Sequence, residues 1–552
     1  MTEPMYNDHP LSCAKSTEIV AESVVKMDSS IWRRRPDAAV LTLILAFLVF
    51  RLILAATLGF TVDESYTIAN ARDLSLSYFD HPPLHYWIVH AFMPILGEGH
   101  AARLPFILLF SLTSWLLYRL TCQLFNAEAG IWAVLSVNLS AFFTVSAGGW
   151  IVPDGPLLFC LVAAALVVAR SQFPSGDTPS PWRTWLLAGL WIGLAGLSKY
   201  HAILFVLGLM LYFATIPERR QVLLHPAPWV GAFLAIIIVS PVLIWNEQHD
   251  WISFAYQLGN ASPGGGLRLE NFIINIAGQC SWIFPWIFVP LVVATWQALL
   301  AGRGRERSWY CLCLALPTVA VFTVVPLWGD RGLPHWQMPG WLMLYPVLGD
   351  YLARREKPWP YWATSATIVM VGLAFLIVGH SVTGYGRLLF PALSARSDPT
   401  LEAFEWTPLR SELRARGLLD RKALFVVAPY WLDAGRIDQA LGGKLPVIAF
   451  GALNDPKNFQ FRYDPNTFLG HDALLIGRKI DADILSRLEP YFDSIKELTS
   501  VTFGRSGMQE IELRILLAKN LRFAFPSRWS PNSQGADAPG TSARRAPEPP
   551  HY

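Results

Sequence analysis

Charged side chains are scarce in this 552-residue sequence: 15% of the residues are Asp, Glu, Lys or Arg, and 53% are hydrophobic. Soluble domains carry about a quarter charged residues, so this deficit, together with long apolar runs, excludes an ordinary soluble protein. The formal net charge is only +3, and no overall basic field points to nucleic acid as a partner.

Cysteine is also sparse, and none lies beyond residue 313, so no disulfide framework is predicted. Cys311 and Cys313 could be a pair of metal ligands. Because they lie in an apolar run, the sequence favours two small hydrophobic side chains buried in the protein. A signal-peptide pattern is missing as well, because the first ~35 residues are polar and mixed in charge. The first apolar run is therefore expected to stay as an anchor.

Long apolar runs are what the sequence has in abundance. A membrane-spanning helix needs about 20 mainly apolar residues, and the runs predict a polytopic α-helical membrane protein with about 11 transmembrane helices. They cover about 38–59, 103–122, 129–148, 156–172, 184–198, 201–216, 228–245, 282–300, 309–327, 337–352 and 360–379.

The basic residues of the loops predict how these helices are oriented, because Lys and Arg collect on the cytoplasmic side. With eleven spans, all the basic clusters fall on one side: Arg33, Arg34, Arg35, Arg219, Arg220, Arg303, Arg305, Arg307, Arg354, Arg355 and Lys357. The opposite loops hold few basic residues: Arg72, Lys199, Arg268 and Arg331. The N-terminus is thus predicted inside, and the chain after the last span outside.

Four regions follow from this reading: a cytoplasmic segment 1–37, a transmembrane module 38–379, an extracytoplasmic domain 380–525 and a disordered tail 526–552 rich in Pro, Ser, Gly and Ala. In the extracytoplasmic domain, short apolar stretches alternate with helical ones. Strands are predicted at 423–428, 445–450 and 474–477, and helices at 408–419 and 481–492. The pattern indicates a small α/β domain.

Ionisable residues gather in the loops predicted to lie outside. The first of these loops, 60–102, contains Asp63 and Glu64 directly after the first span, and then Asp80 and His81. From Asp63 to about Ser77 the pattern predicts a short amphipathic juxtamembrane helix. The later outward loops bring further candidates: Asp154, Lys199, Tyr200, Arg331 and His335.

Each of these residues has a structural explanation, such as helix capping for Asp154 or snorkelling for Lys199. Their recurrence in every outward loop favours a site instead, because ionisable groups near a membrane are costly unless they are paired or used. Carboxylates can deprotonate a hydroxyl or hold a cation, and Lys and Arg can neutralise a phosphate leaving group.

Six sequence blocks carry a resemblance to a known family. They are 63–66 (DESY), 78–84 (YFDHPPL), 153–157 (PDGPL), 196–200 (GLSKY), 245–251 (WNEQHDW) and 335–341 (HWQMPGW). In these blocks the chain resembles bacterial GT-C glycosyltransferases related to protein O-mannosyltransferases and to the lipid A aminoarabinose transferase. The resemblance implies a polyprenyl-phosphate-sugar donor, an inverting transfer, an extracytoplasmic active site and a location in the bacterial inner membrane.

The resemblance also implies roles for individual residues. Asp63 would be the catalytic base, and Glu64 would orient it or the acceptor. Asp80, Asp154 and Tyr66 would bind the acceptor or the sugar. The donor phosphate would be bound by His81, Lys199, Tyr200, Arg331 and His335.

Several alternatives stay open. His81 departs from relatives that carry Lys at its place. A divalent cation could be held by Asp63, Glu64, Asp80 and His81, although no spacing requires one. The acceptor is expected to be an envelope glycolipid, polysaccharide or protein. A polar-lipid transporter or flippase and a non-catalytic assembly subunit are the competing function classes. The first is disfavoured by the absence of an internal repeat.

Overall fold

The computed structural model describes residues 35–261, 266–328, 332–355, 359–389, 398–450, 456–506 and 508–525. The predicted segment 1–37 falls almost wholly outside these ranges, and the predicted tail 526–552 falls entirely outside them. Most of the described chain is helical, and one five-stranded sheet lies near its C-terminal end.

Within the residues that the structure describes, seven helices are long and apolar enough to cross a membrane. They are Pro36–Thr57, His100–Leu124, Asp154–Gln172, Pro226–Gln248, Pro285–Gly304, Glu306–Leu327 and Trp362–Thr383. The pair Ala127–Asn138 and Phe142–Gly149 would make an eighth span, bent by 83°. A polytopic helical membrane protein is thereby confirmed, while the number of eleven spans stays a prediction.

The remaining apolar runs form shorter helices. The fifth and sixth runs form Pro181–Gly196 and Ala202–Thr215, and the tenth run forms two short helices, Met338–Leu342 and Tyr345–Ala353. Helices outside the predicted runs are Val62–Ala71, Leu84–Leu96, Ile252–Ala261, Leu269–Ile283 and Gly386–Leu389. Short 3-10 segments are His100–Arg103, Pro217–Leu224, Gly302–Gly304 and Val325–Leu327.

Small residues let the helices of the bundle approach closely. Gly189 in Pro181–Gly196 lies so near Gly231 in Pro226–Gln248 that a Cβ on Gly189 would sit 2.1 Å from the Gly231 carbonyl oxygen. Such glycine contacts are typical of membrane helices, whose association depends on van der Waals packing. The fifth run therefore packs inside the bundle in spite of its short length.

The C-terminal sheet has the strand order β2-β1-β3-β5-β4. Its strands are β1 Leu424–Ala428, β2 Val447–Ala449, β3 Asp472–Gly477, β4 Phe492–Phe503 and β5 Ile511–Leu521. β1 pairs in parallel with β2 and β3, whereas β5 pairs antiparallel with β3 and β4. The predicted α/β domain is confirmed. The hairpin β4–β5 was not predicted from the sequence.

Helices cover both faces of this sheet, since alternate residues of β1 enter different cores. Val426 joins a core with the helices Thr407–Ala415 and Trp431–Leu441. Phe425 joins another with Ala482–Leu488. Other short helices of the domain are Pro399–Ala403, Phe459–Arg462, Pro465–Phe468 and Glu489–Tyr491.

The first outward loop belongs to the core of the C-terminal domain. Ile68 of the helix Val62–Ala71 is fully buried in the same apolar cluster as Leu409 and Ile437. The predicted amphipathic helix to Ser77 is thus shorter than expected. It also has no solvent face beyond its first turn, because the C-terminal domain packs on it.

Candidate active site

The helix Val62–Ala71 begins with a capping box. The Glu64 N–H donates to Thr61 Oγ1 at 3.3 Å, and the Thr61 N–H donates to Glu64 Oε2 at 3.0 Å. This reciprocal pair satisfies N–H groups that a helix start leaves without partners. The helix start is therefore fixed directly beside Asp63.

Asp63 is exposed, whereas every residue from Glu64 to Ala71 is buried. The protein around Asp63 still removes enough water to raise the pKa of its carboxyl above the ordinary value of 3.8. The positive charge of Lys457 opposes this effect, and the negative charge of Asp80 adds to it. Solvent thus reaches the Asp63 carboxylate, and its basicity is increased. Both properties suit a proton acceptor.

The Glu64 carboxylate points away from Asp63, and both of its oxygens accept hydrogen bonds from neighbouring residues. Arg103 donates to it twice, from Nε to Oε1 and from Nη2 to Oε2, both at 2.7 Å, and the Ile151 N–H donates to Oε1 at 3.1 Å. Arg103 also donates to the carbonyl oxygens of Ala55, Leu58 and Gly59 at the end of the first span. These contacts favour a positioning role for Glu64.

Asp80 joins two tyrosines of the first outward loop. Tyr66 Oη donates to Asp80 Oδ1 at 2.9 Å, and Tyr86 Oη donates to the same oxygen at 3.4 Å. Burial and the Asp80 charge raise the pKa of Tyr66 well above its ordinary value, so its hydroxyl stays protonated and can donate.

His81 follows Asp80 and lies half buried, and its Nδ1 has no hydrogen-bond partner within the described chain. Burial, reinforced by the charges of Lys199 and Lys457, lowers the pKa of His81 to about 3. The imidazole is therefore neutral at neutral pH and offers a hydrogen bond rather than a charge. His85, which the sequence analysis did not single out, is buried, and its ring packs at a tilt against Tyr86 with ring centres 3.9 Å apart.

Asp154 and Lys199 form a buried ion pair in which Lys199 Nζ lies 3.0 Å and 3.1 Å from the two carboxylate oxygens. Asp154 begins the helix Asp154–Gln172, and Lys199 follows Pro181–Gly196. Tyr200 turns its ring to Phe254, with ring centres 5.4 Å apart. Asp154 thus fixes the position of the Lys199 ammonium and balances its charge.

His335 lies near this pair. Its ring stacks on Phe142 at 6.2 Å. Burial, followed by the charge of Lys199, lowers the pKa of His335 to about 4. Because the same Lys199 charge acts on His81, the structure brings His81, Lys199 and His335 into one neighbourhood. Arg331 lies outside the described residues.

A metal site is not formed by the predicted candidates. Among the residues that the structure describes, no three His, Cys, Asp or Glu side chains come together as a metal ion would need. Asp63, Glu64, Asp80 and His81 are neighbours in sequence, but Glu64 turns to Arg103 and Asp80 turns to the two tyrosines.

The chain is similar to known proteins in both sequence and fold. Residues 80–245 match the family described as dolichyl-phosphate-mannose-protein mannosyltransferase. The chain is 25% identical over 296 residues, 51% of its length, to the lipid A galacturonosyltransferase RgtD of Rhizobium johnstonii. It is 31% identical over 246 residues, 42% of its length, to the undecaprenyl phosphate-alpha-4-amino-4-deoxy-L-arabinose arabinosyl transferase 1 of Proteus mirabilis. The matches span 59% and 42% of the lengths of these two relatives.

The fold agrees with these sequence matches. ArnT from Cupriavidus metallidurans, crystallised with undecaprenyl phosphate, superposes with a TM-score of 0.58 at 14% identity, over 86% of this chain and 97% of that one. The chain is thus similar in sequence to these glycosyltransferases and similar in fold to ArnT. The resemblance seen in the sequence blocks is thereby confirmed.

The C-terminal domain contributes residues to this neighbourhood that the sequence analysis did not predict. The Asn458 N–H donates to Tyr66 Oη at 3.0 Å, Asn458 Nδ2 donates to Asn70 Oδ1 at 2.8 Å, and Asn458 Oδ1 accepts from the Phe79 N–H at 3.1 Å. Lys457 Nζ lies 3.7 Å from Asp80 Oδ2. No motif marks these residues, because their contacts depend on how two distant regions of the chain pack.

Ion pairs hold the C-terminal domain against the first outward loop. Arg72 contacts Asp438 and also forms a two-bond contact with Glu98 at 2.6 and 2.7 Å. Arg462 contacts Asp438 at 2.7 Å and Asp73 at 3.2 Å. Asp438 is thus shared by an arginine from each region, and the domain is fixed next to the candidate site.

Proposed function

We propose that this protein is a membrane glycosyltransferase that moves a sugar from a polyprenyl-phosphate donor to an envelope acceptor, with Asp63 as the base. The observation that carries the proposal is the environment of Asp63. It is exposed at the start of an otherwise buried helix, its pKa is raised by burial, and the charges of Lys457 and Lys199 act on it. The names of the curated relatives support the reaction class.

The reaction would be a single displacement. The acceptor hydroxyl oxygen attacks the anomeric carbon, Asp63 accepts the hydroxyl proton, and the bond from that carbon to the phosphate oxygen breaks. The electron pair leaves with polyprenyl phosphate, and the configuration at the anomeric carbon inverts. Because phosphate is a good leaving group, the protein needs to supply positioning and positive charge rather than a strong acid.

Other residues would hold the substrates around this step. Lys199, fixed by Asp154, supplies positive charge near His81 and His335. The two imidazoles, being neutral, would donate hydrogen bonds to phosphate oxygens, and Arg331 and Tyr200 would complete the phosphate site. Tyr66 and Asp80 would face the sugar or the acceptor, and Glu64 would keep Asp63 in place through Arg103.

The site would face the periplasm of a bacterial inner membrane. The distribution of Lys and Arg among the loops supports this orientation. Polyprenyl-phosphate sugar and lipopolysaccharide or a related glycan would meet there. The relatives are named as a lipid A galacturonosyltransferase and an amino-sugar transferase, so the donor panel should contain uronic acids, amino sugars and neutral hexoses.

The decisive experiment is transfer from labelled polyprenyl-phosphate sugars to envelope extracts by purified protein in liposomes. Wild type is compared with Asp63→Asn, which keeps the side-chain shape and removes the base. The matched control is Asp420→Asn, an exposed carboxylate of the C-terminal domain. Wild type and the control should transfer one sugar of the panel, and Asp63→Asn should lose transfer by roughly 10²–10⁴-fold.

Two results would contradict the proposal. Transfer by Asp63→Asn at the wild-type rate would remove Asp63 as the base. Movement of a labelled lipid across the membrane by wild type, with no transfer from any donor, would replace the glycosyltransferase with a transporter.

A further inference from the structure

The parallel part of the C-terminal sheet has a topological switch point. β1 lies in the middle, and the chain leaves it first for β2 on one side and later for β3 on the other. In open α/β sheets, ligands bind in the crevice at the carboxyl ends of the strands where the strand order reverses. The helix Trp431–Leu441 begins at this end of β1, so such a crevice lies beside its first turn.

This end of the sheet meets the helix that carries Asp63. The Trp431 ring contacts Tyr66 edge to face, with ring centres 5.5 Å apart, and a Cβ on Gly435 would lie 2.9 Å from the Tyr66 main chain. Asp63 lies three residues before Tyr66 and is therefore its neighbour on the helix surface. The carboxyl ends of β1 and β3 thus lie next to the candidate base.

The segment that precedes the sheet approaches Asp63 from another direction. A Cβ on Gly59 would lie 2.3 Å from the Ala403 carbonyl oxygen, so Glu402, the residue before Ala403, stands beside the turn that leads into Val62–Ala71. Burial raises the pKa of the Glu402 carboxyl, and the negative charge of Asp63 raises it further. Two carboxylates from distant regions of the chain therefore share one neighbourhood.

Glu402 and Arg436 lie side by side, yet their side chains do not pair. Arg436 Nη2 donates to the main-chain carbonyl oxygen of Glu402, and the guanidinium lies 5.5 Å from the centre of the Trp406 ring. Arg436 is 2% exposed, and its Nε and Nη1 have no hydrogen-bond partner within the described chain. The half-buried Glu402 carboxylate likewise accepts no hydrogen bond from a described residue. Unsatisfied buried polar groups are uncommon in proteins, and each calls for an explanation.

The unsatisfied groups are complementary to hydroxyl groups. A hydroxyl has one donor and two acceptor lone pairs, so the same group can donate to the Glu402 carboxylate and accept from Arg436. A phosphate or carboxylate could accept from Arg436, but it would be repelled by the negative charges of Glu402 and Asp63. A compound with several hydroxyls, one at Asp63 and another at Glu402, fits both the donors and the charges.

We propose that Glu402 and Arg436 bind a second hydroxyl of the acceptor while Asp63 accepts the proton of the attacking one, so that the acceptor is a sugar with neighbouring hydroxyls. The inference rests on the proposed function and names its acceptor class. Glu402 forms only hydrogen bonds and takes no part in the bonds that form and break. Holding the acceptor at two points orients the attacking oxygen, which increases the rate through positioning.

The test measures the KM values of the two substrates separately. Wild type, Glu402→Ala, Glu402→Gln and the control Glu489→Gln are reconstituted in liposomes with the labelled donor; Glu489 is exposed on the same domain. The acceptors are two fractions of the envelope extract: the glycans, including lipopolysaccharide, and the proteins. Wild type and the control should transfer to the glycans. For Glu402→Ala, the KM for the glycans should rise by roughly 10–10²-fold, with the KM for the donor and the melting temperature unchanged.

The other variants test whether Glu402 and Arg436 bind the same hydroxyl. Glu402→Gln keeps one acceptor oxygen and loses the charge, so its KM for the glycans should rise less than that of Glu402→Ala. Arg436→Lys should also raise this KM, because it replaces the guanidinium donors. The double variant with Glu402→Ala should show less than the product of the two single effects. Independent effects would contradict a shared hydroxyl.

The outcomes separate this inference from the proposed function. No transfer by wild type to either fraction would overturn the proposed function. Wild-type transfer to the proteins alone would leave a glycosyltransferase and overturn the sugar acceptor. Transfer to the glycans with an unchanged KM in Glu402→Ala would overturn the role of Glu402. An equal rise of both KM values together with a lower melting temperature would show that Glu402 acts on the fold, and would overturn that role as well.

Discussion

The Asn458 N–H donates a 3.0 Å hydrogen bond to the hydroxyl of Tyr66, although 392 residues separate the two in sequence. The Tyr66 hydroxyl in turn donates a 2.9 Å hydrogen bond to Asp80 Oδ1, so a chain of hydrogen bonds runs from the C-terminal domain through the loop 60–102. The domain is thus packed against the loop that carries the candidate base, and the two regions are joined by direct hydrogen bonds.

Asn458→Ala tests this connection. The substitution removes the two side-chain bonds to Asn70 and Phe79 and keeps the main-chain bond to Tyr66. We expect kcat/KM to fall by roughly tenfold or more, because small displacements of positioned groups are costly in rate. Asn466→Ala, at an exposed position of the same domain, is the control. Equal activity of the two variants would show that Asn458 does not position the site.

The pH dependence of transfer should report the charges around Asp63. The base works only when ionised, so activity falls as the pH drops through its pKa, which burial places above the ordinary 3.8. Lys457 lowers this pKa and Asp80 raises it. Hence Lys457→Met should move the acidic limb of kcat/KM to higher pH, and Asp80→Asn should move it to lower pH.

The position of the acidic limb is measured here rather than the maximal rate, since Asp80→Asn also weakens the hydrogen bonds that Tyr66 and Tyr86 donate to a charged oxygen. Lys444→Met, at an exposed position of the C-terminal domain, should leave the limb in place. Shifts in the same direction for Lys457→Met and Asp80→Asn would contradict the assignment of the limb to Asp63.

The pair of Glu64 and Arg103 should act on stability as well as on rate. Glu64 is fully buried and accepts five hydrogen bonds, from Thr61, Arg103 and Ile151. Removing the charge in Glu64→Gln leaves a buried guanidinium uncompensated, which costs about 3–5 kcal/mol. The apparent melting temperature should fall together with transfer. Loss of transfer at an unchanged melting temperature would instead favour a direct chemical role for Glu64.

Part of this organisation could be predicted from sequence. The apolar runs located the long helices, and the alternating stretches located β1, β2 and β3, because both patterns follow from local burial. Asp63 and Asp80 are predicted as site residues because they lie in one loop. The sequence predicts Asp154 and Lys199 as members of one site. It does not predict that they form an ion pair, because positions in separate loops do not say which side chains meet.

Other features depend on tertiary packing and could not be predicted. Lys457 and Asn458 sit in a segment without a motif, and only the docking of the C-terminal domain brings them to Tyr66. Arg103 stood at the edge of the second apolar run. A charged residue there is a signal for a buried partner, but the sequence does not say that the partner is Glu64.

The Asp154–Lys199 pair predicts non-additive mutational effects. Asp154→Asn leaves the buried Lys199 charge unbalanced, and Lys199→Met leaves the Asp154 carboxylate unbalanced. The double variant removes both charges and should be at least as stable as either single variant, with a coupling of about 1–3 kcal/mol. Melting temperatures of the four proteins measure this coupling. Additive losses would mean that the two side chains do not pair in the membrane.

Gly435 offers a steric test of the domain contact that leaves every charge in place. A Cβ at Gly435 would lie 2.9 Å from both Cα and N of Tyr66, and backbone atoms of a buried helix cannot move aside locally. Gly435→Ala must therefore push the helix Trp431–Leu441 away from Val62–Ala71, and with it Trp431, which supports Lys457.

Since a displacement of about 1 Å can cost 10²-fold in rate, we expect a loss of roughly 10–10²-fold in kcat/KM for Gly435→Ala. Gly99→Ala is the matched control, because a Cβ there meets no atom within 4 Å and the residue lies in the same outward loop as Asp63. Full activity of Gly435→Ala would show that transfer does not depend on this domain contact, and the C-terminal domain would then have no part in the active site.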